Sequence, residues 1–144
     1  MLNLKVAGYR VAAAKEMVRI QTLDTPATET DRYGKAGAEV IVAVPRDETV
    51  VFIKRRLSIA EVLPYLEGLD YVILEGFEHE AAVPKIIAAK TLQEAESYND
   101  GSAIALSGLI VESEVETAKA TQLKLPIFKS LTEAGKLADL VEKL

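Results

Sequence analysis

The chain has 144 residues, and 49% of them are hydrophobic, enough for one domain with its own core. Its net charge of −5 repels phosphate backbones and anionic lipid, so neither nucleic acid nor a membrane surface is expected as a partner. The absence of cysteine excludes disulfides, thiolate metal sites and cysteine nucleophiles, and fits a cytoplasmic protein.

No apolar run reaches the roughly 20 residues that span a bilayer, and Met1–Lys5 has no signal-peptide pattern. There is no repeat, linker or low-complexity stretch, so residues 1–144 read as a single α/β domain.

Taken in chain order, the first strand is Arg10–Lys15, after Gly8. Residues 16–31 are polar, with Pro26 and several threonines, and read as a long loop. Val40–Val44 and Thr49–Ile53 are β-branched runs separated by Pro45-Arg46-Asp47-Glu48, a connection short enough for an antiparallel hairpin. Ser58 with Glu61 opens a helix carrying Ile59, Val62, Leu63 and Leu66, which stops at Gly68. The apolar run Tyr71–Leu74 leads into Glu75-Gly76. Further strands read as Ile86–Ala89, Ala103–Leu106 and Pro126–Phe128. Between and after them the pairs Thr91/Glu94, Ser113/Glu116 and Ser130/Glu133 have the spacing of reciprocal helix caps. In the last helix Ala134, Leu137, Ala138, Val141 and Leu144 share one face. Several strands do not alternate with polar residues, as expected of strands buried on both faces by helices. The class is therefore α/β with a mostly parallel sheet.

In open parallel sheets ligands sit beyond the carboxyl ends of the strands. Glu75 followed by Gly76 ends such a strand, and a carboxylate there can hold a magnesium-bound water. It could equally cap the next element or pair with Lys85. His79, the only histidine, lies between Glu78 and Glu80, which could help it bind a metal; a lone histidine in a solvated loop is the plainer reading. Lys15, Arg19 and Arg32 near the long loop could bind phosphates, as a point charge and two forks, or simply solvate the surface. Lys54-Arg55-Arg56 marks the exposed end of the hairpin and could meet an acidic partner. The sequence holds no Gly-x-x-x-x-Gly-Lys-Ser/Thr loop, no Gly-x-Gly-x-x-Gly and no nucleophile elbow at Ser107-Gly108. No catalytic residue and no metal ligand is assigned.

Together these motifs resemble a known family. Glu75-Gly76-Phe77-Glu78-His79-Glu80 followed by Pro84-Lys85-Ile86 is similar to the central motif of the molybdopterin-guanine dinucleotide biosynthesis protein B family. Gly8–Ala12 with Lys15, Asp24-Thr25-Pro26 before Lys35-Ala36-Gly37-Ala38, Ala103–Gly108 and Leu125–Phe128 resemble further segments in the same order. The resemblance implies a P-loop-NTPase-like three-layer domain, with a mostly parallel sheet plus an antiparallel hairpin. The family's first strand and P-loop have no counterpart here, since Leu2–Lys5 resembles the helix that comes after them. It implies GTP and Mg2+ as ligands, with Glu75 as the magnesium-side carboxylate, Gly76 turning close to phosphate, and Lys15 near nucleotide or substrate. Arg19, Arg32, His79 and Lys85 become candidates for binding pterin or phosphate. It also implies a homodimer that partners the molybdenum cofactor guanylyltransferase or a molybdoenzyme. Where the family has histidines this chain has Glu16-Met17-Val18-Arg19, and its Gly-Lys-Asp-Ser segment is Ala27-Thr28-Glu29-Thr30 here.

Three functions are compatible with these residues. The first is a degenerate, non-hydrolysing accessory protein of molybdenum cofactor synthesis. The second is a GTPase of that pathway with a truncated N-terminus. The third is an interaction module in which Glu75 and Lys85 merely pair. With the first strand absent, one inner sheet edge is expected to stay unpaired and to invite a second copy or another chain.

Overall fold

The computed structural model describes residues 1–80 and 83–144. It divides into two compact units, Met1–Lys15 with Asp70–Leu144, and Glu16–Leu69.

The first unit holds α1 (Leu2–Val6), β1 (Val11–Lys15), β4 (Tyr71–Glu75), β5 (Lys85–Ala88), α4 (Leu92–Tyr98), β6 (Ala103–Ser107), α5 (Glu114–Ala120) and α6 (Ala134–Val141). The second holds α2 (Glu29–Lys35), β2 (Val40–Ala43), β3 (Val50–Ile53) and α3 (Ile59–Val62), continued by a 3-10 turn over Leu63–Leu66. Among the described residues no helix is long and apolar enough to cross a membrane.

The α/β class with parallel strands and one antiparallel hairpin is what the sequence predicts. The strands form three ladders of two. β1 runs parallel to β4, with Val11 opposite Tyr71 and Lys15 opposite Glu75. β5 runs parallel to β6, with an irregularity between Lys85 and Ile86. β2 and β3 form the antiparallel hairpin, Val40 opposite Ile53 and Ala43 opposite Val50. The expected strand Pro126–Phe128 is a single parallel bridge from Ile127 to Leu106, held by Leu106 N–H to Pro126 O and Phe128 N–H to Leu106 O, each 2.9 Å.

The core of the first unit lies on the β5–β6 ladder. Ile87, Ala89, Ala95, Leu106, Ile110, Val111 and Ala120 pack together, with Leu106 and Ile110 fully buried. Ala95 on α4 and Ala120 on α5 are completely enclosed, and their small size lets both helices approach closely. Burial on both faces holds for β6 but not for β4, whose Tyr71–Leu74 are only half-buried. One flank of β4 opens into a cleft instead of meeting another layer.

The predicted caps form in part. Ser58 N–H donates to the Glu61 carboxylate at 3.0 Å, and the Ser58 hydroxyl lies 2.9 Å from the same oxygen. Thr91 and Ser113 accept from Glu94 and Glu116 amides, but the carboxylates go elsewhere: Glu94 to Lys90 N–H, Glu116 to Leu92 N–H. Glu116 thereby ties α5 to the start of α4. Ser130 does not cap α6. Its cap residue is Glu133, whose carboxylate accepts from Lys129 N–H at 3.0 Å and from Lys136 Nζ at 2.7 Å. The polar stretch at 16–31 ends earlier than expected, because Thr28 accepts from Asp31 N–H and starts α2 at Glu29.

Gly108 comes after β6 at φ +92°, ψ −160°, a conformation open essentially only to glycine. A Cβ there would sit 2.7 Å from both Ala89 N and Ala89 O, the backbone that pairs with Ser107 and Ile110. Gly108→Ala is expected to cost at least about 2 kcal/mol in urea unfolding, from backbone strain plus collision. An unchanged midpoint would contradict this packing.

The cap of α3 makes a second prediction. The Ser58 amide, then its hydroxyl and then Arg55, hold the Glu61 carboxyl at about 2 against an ordinary 4.5. Because the folded value is the lower one, the stabilisation is complete above pH 4.5 and is lost as pH falls from there through about 2. A side-chain carboxyl NMR titration should place Glu61 near 2, and Ser58→Ala should raise it. A midpoint of 4.5 in the unaltered chain would show that the cap does not form.

Candidate functional site

The β1–β4 ladder carries the site. Its parallel register brings the last residues of both strands level, and Lys15 Nζ lies 2.6 Å from Glu75 Oε1 across strands. Both side chains are exposed. The other end of the ladder is also closed by charge. Arg10 N–H donates to Asp70 Oδ2 at 2.6 Å, and the Arg10 guanidinium sits 3.8 Å from that oxygen. Above it Tyr9 and Tyr71 pack edge to face with centroids 5.0 Å apart.

Beyond Glu75 the chain turns sharply. Gly76 has φ +82° and Phe77 φ +53°. Glycine takes the first at no cost, whereas a bulky side chain in the left-handed region is strained. A turn over 78–79 comes next, closed by Glu80 N–H to Phe77 O at 3.0 Å.

Lys85 does not pair with Glu75. Its ammonium lies against the Asp100 carboxylate and 3.2 Å from the Glu78 carbonyl, and its side chain is mostly buried. Lys85, followed by the Ser102 hydroxyl and amide, holds Asp100 well below the usual carboxylate range. The sequence reading of Glu75 and Lys85 as partners is therefore corrected: Glu75 meets the lysine on the neighbouring strand, and Lys85 meets the aspartate before β6.

His79 is exposed in the 78–79 turn, and among the described residues no three histidine, aspartate or glutamate side chains converge to hold a metal. Lys15 belongs to the first unit, while Arg19 and Arg32 belong to the second. Both arginines are exposed, Arg32 lying 3.8 Å from Glu29.

The sequence reading missed Asp24, a buried carboxylate in the second unit. It accepts from Lys54 Nζ at 2.7 Å, Thr30 Oγ1 at 2.7 Å and Thr28 Oγ1 at 3.4 Å. Lys54, then Thr30, lower its pKa against the opposing effect of burial. The threonines at 28 and 30, shortly after Asp24, were the available signal. The same region engages Lys54-Arg55-Arg56, read from the sequence as the exposed end of the hairpin, in ion pairs within this chain. Lys54 is held by Asp24 and lies over the Phe52 ring, Arg55 is 2.8 Å from Glu61, and Arg56 pairs with Glu16.

Next to the Lys15–Glu75 pair is a cleft of about 790 Å3, within the first unit. Its walls are β4 with the 76–78 turn on one side and β5 with Val83 and Pro84 on the other, and Val141, Glu142 and Leu144 close one end. Such an arrangement can hold a polar ligand at Glu75 and Lys15 and an apolar body along the strands. Glu75 offers a carboxylate to a hydrated cation, and Lys15 a point charge to an anion.

Comparison with known proteins agrees with this architecture. The family Molybdopterin guanine dinucleotide synthesis protein B matches residues 1–110. No curated protein matches. The crystal structure of Bacillus subtilis MobB is similar with a TM-score of 0.72 at 21% identity, over 99% of this chain and 83% of that one. A crystal structure of molybdopterin-guanine biosynthesis protein B gives 0.66 at 22%, over 97% and 82%. A MobB homologue from Bacillus stearothermophilus gives 0.65 at 18%, over 99% and 82%. At these identities the structures speak for the fold, and the family match over most of the chain speaks for membership. The chain belongs to the molybdopterin guanine dinucleotide synthesis protein B family.

Proposed function

We propose that this chain is an accessory protein of molybdopterin guanine dinucleotide synthesis that binds a guanine nucleotide with magnesium at Glu75, Gly76 and Lys15 and does not hydrolyse it unaided. The observation that carries the reading is the in-register Lys15–Glu75 pair at the carboxyl ends of β1 and β4, beside a cleft, in a member of this family.

The residues present fit such a ligand. Glu75 is exposed and its described bond uses only Oε1. The glycine after it lets the chain turn without a side chain in the way. Magnesium would supply charge neutralisation for the phosphates when bound. The chain's own contribution is to orient: the ladder holds the carboxylate and the ammonium level with each other. In this proposal His79 and Lys85 of the first unit contact pterin or phosphate, and the protein works as a cytoplasmic homodimer beside the guanylyltransferase or the molybdoenzyme it serves.

Calorimetric titration of GTP with Mg2+ tests the reading. Binding in the micromolar range is expected, weakened about tenfold, or ~1.4 kcal/mol, by Glu75→Gln and similarly by Lys15→Ala. Nucleotide turnover should stay at the uncatalysed rate. Absence of heat at millimolar GTP would remove the nucleotide from the proposal. Turnover above background that Glu75→Gln abolishes would make the chain a GTPase.

A further inference from the structure

The turn that follows Glu75 is tied to the β5–β6 ladder through one mostly buried ammonium. Lys85 opens β5, and its backbone N–H donates to Ser102 O at 3.0 Å. Its side chain also reaches the Glu78 carbonyl, 3.2 Å from Nζ. That carbonyl belongs to the turn closed by Glu80 N–H to Phe77 O.

Asp100 completes the tie. Its Oδ2 takes the Lys85 ammonium. Its Oδ1 accepts from Ser102 N–H at 3.0 Å and from the Ser102 hydroxyl at 2.6 Å. Asn99 Oδ1 accepts from Gly101 N–H at 3.1 Å, which closes the same loop. The carboxylate is therefore fixed by its own loop on one oxygen while the other meets the lysine. A lysine side chain is rich in rotamers, and a charged partner in a fixed place selects one of them. Here the selected one meets Glu78 O.

The turn needs such a hold. Phe77 at φ +53° is strained, and a strained conformation persists only where its surroundings over-determine it. Phe77 stands two residues after Glu75, so a turn that relaxes shifts the backbone beside the carboxylate. Among the described residues Glu75, Glu78 and Lys85 line the cleft, and Asp100 does not. An effect of Asp100 on a ligand in the cleft must then pass through Lys85.

We propose that Asp100 is a positioning residue for the nucleotide site: through Lys85 it fixes the Glu78 carbonyl, and with it the turn that sets the Glu75 carboxylate. The inference rests on the nucleotide reading at Glu75 and deepens it. An ammonium has three N–H donors, so Lys85 keeps one for the ligand contact proposed above, whereas an ionised Asp100 can only accept and has no part in holding an anion.

Asp100→Asn is the test variant. Asparagine keeps an oxygen for Ser102 and puts an amide donor against the ammonium. In the 144-residue chain without ligand, hydrogen exchange followed by NMR should show the Glu80 amide exchanging about tenfold faster, with the Ser102 amide and the β2–β3 hairpin unchanged. Calorimetry should show GTP with Mg2+ binding about fivefold more weakly, and Asp100→Glu should recover most of the loss. Added to Glu75→Gln, Asp100→Asn should weaken binding no further, because the carboxylate it positions is already gone. An undisturbed Glu80 amide overturns the inference. So does a loss that adds in full to that of Glu75→Gln, which would mean a general loosening or a Lys85 contact alone. If the unaltered chain gives no heat with GTP and Mg2+, the nucleotide reading falls and this inference with it. Heat from the unaltered chain together with either of the first two failures overturns this inference alone.

Discussion

Everything at the candidate site depends on one register. β1 and β4 are 60 residues apart in sequence. Two strands so separated can slide as well as pair, and a slip of one residue would turn every side chain to the opposite face. The ladder is pinned at both ends by charge, Arg10 to Asp70 at its start and Lys15 to Glu75 at its finish. The first clamp uses a backbone amide as donor, so it fixes the chain itself and not only a side chain. With that end fixed, five parallel steps bring Lys15 opposite Glu75 without further choice. Both clamps are exposed, so water and salt weaken their charge attraction, but the second joins two side chains only and has no backbone donor to hold it.

The turn after Glu75 carries two successive residues in the left-handed region. Gly76 and Phe77 both adopt positive φ. In a chain whose turns elsewhere at positive φ are mostly glycine, a phenylalanine there is an energetic cost that its surroundings must offset. Strain of this kind collects where a loop must leave a strand end in a fixed direction. The consequence is that the carboxylate stands exposed at the tip of the ladder, at the rim of the cleft.

Much of this was legible in the sequence because the signals were local. The capping pairs at Ser58/Glu61, Thr91/Glu94 and Ser113/Glu116 marked helix starts, the β-branched runs marked β2 and β3, and Glu75-Gly76 marked a strand end. Interactions over distance were not legible. Glu94 and Glu116 have the spacing of reciprocal caps, yet Glu116 reaches Leu92 on another helix, because that amide was the unsatisfied donor within range. Asp24 looked like one more polar residue in a loop, and only the return of the chain at Lys54 makes it a buried anchor. Lys85 and Glu75 are ten positions apart and oppositely charged, but Asp100 offers Lys85 a partner at the entry to the strand it pairs with.

The two parallel ladders of the first unit differ for a physical reason that bears on function. β6 is enclosed because it has neighbours on both edges, β5 and the 126–128 bridge, and Leu106 and Ile110 beside it fill the core. Among the described residues β4 has a neighbour on one edge only. Its residues are as apolar as those of β6, so their half-exposure is not a matter of composition. An apolar strand with an unpaired edge gives up both backbone hydrogen bonds and side-chain burial, a state that proteins usually avoid by covering or charging the edge. Among the described residues no strand pairs with that edge of β4, and carboxylates from the 75–78 segment and from Glu142 stand around the opening. Like charges at the rim repel one another and disfavour closure by another acidic surface, including that of an identical chain carrying net charge −5. The same carboxylate, Glu75, belongs both to that rim and to the pair with Lys15.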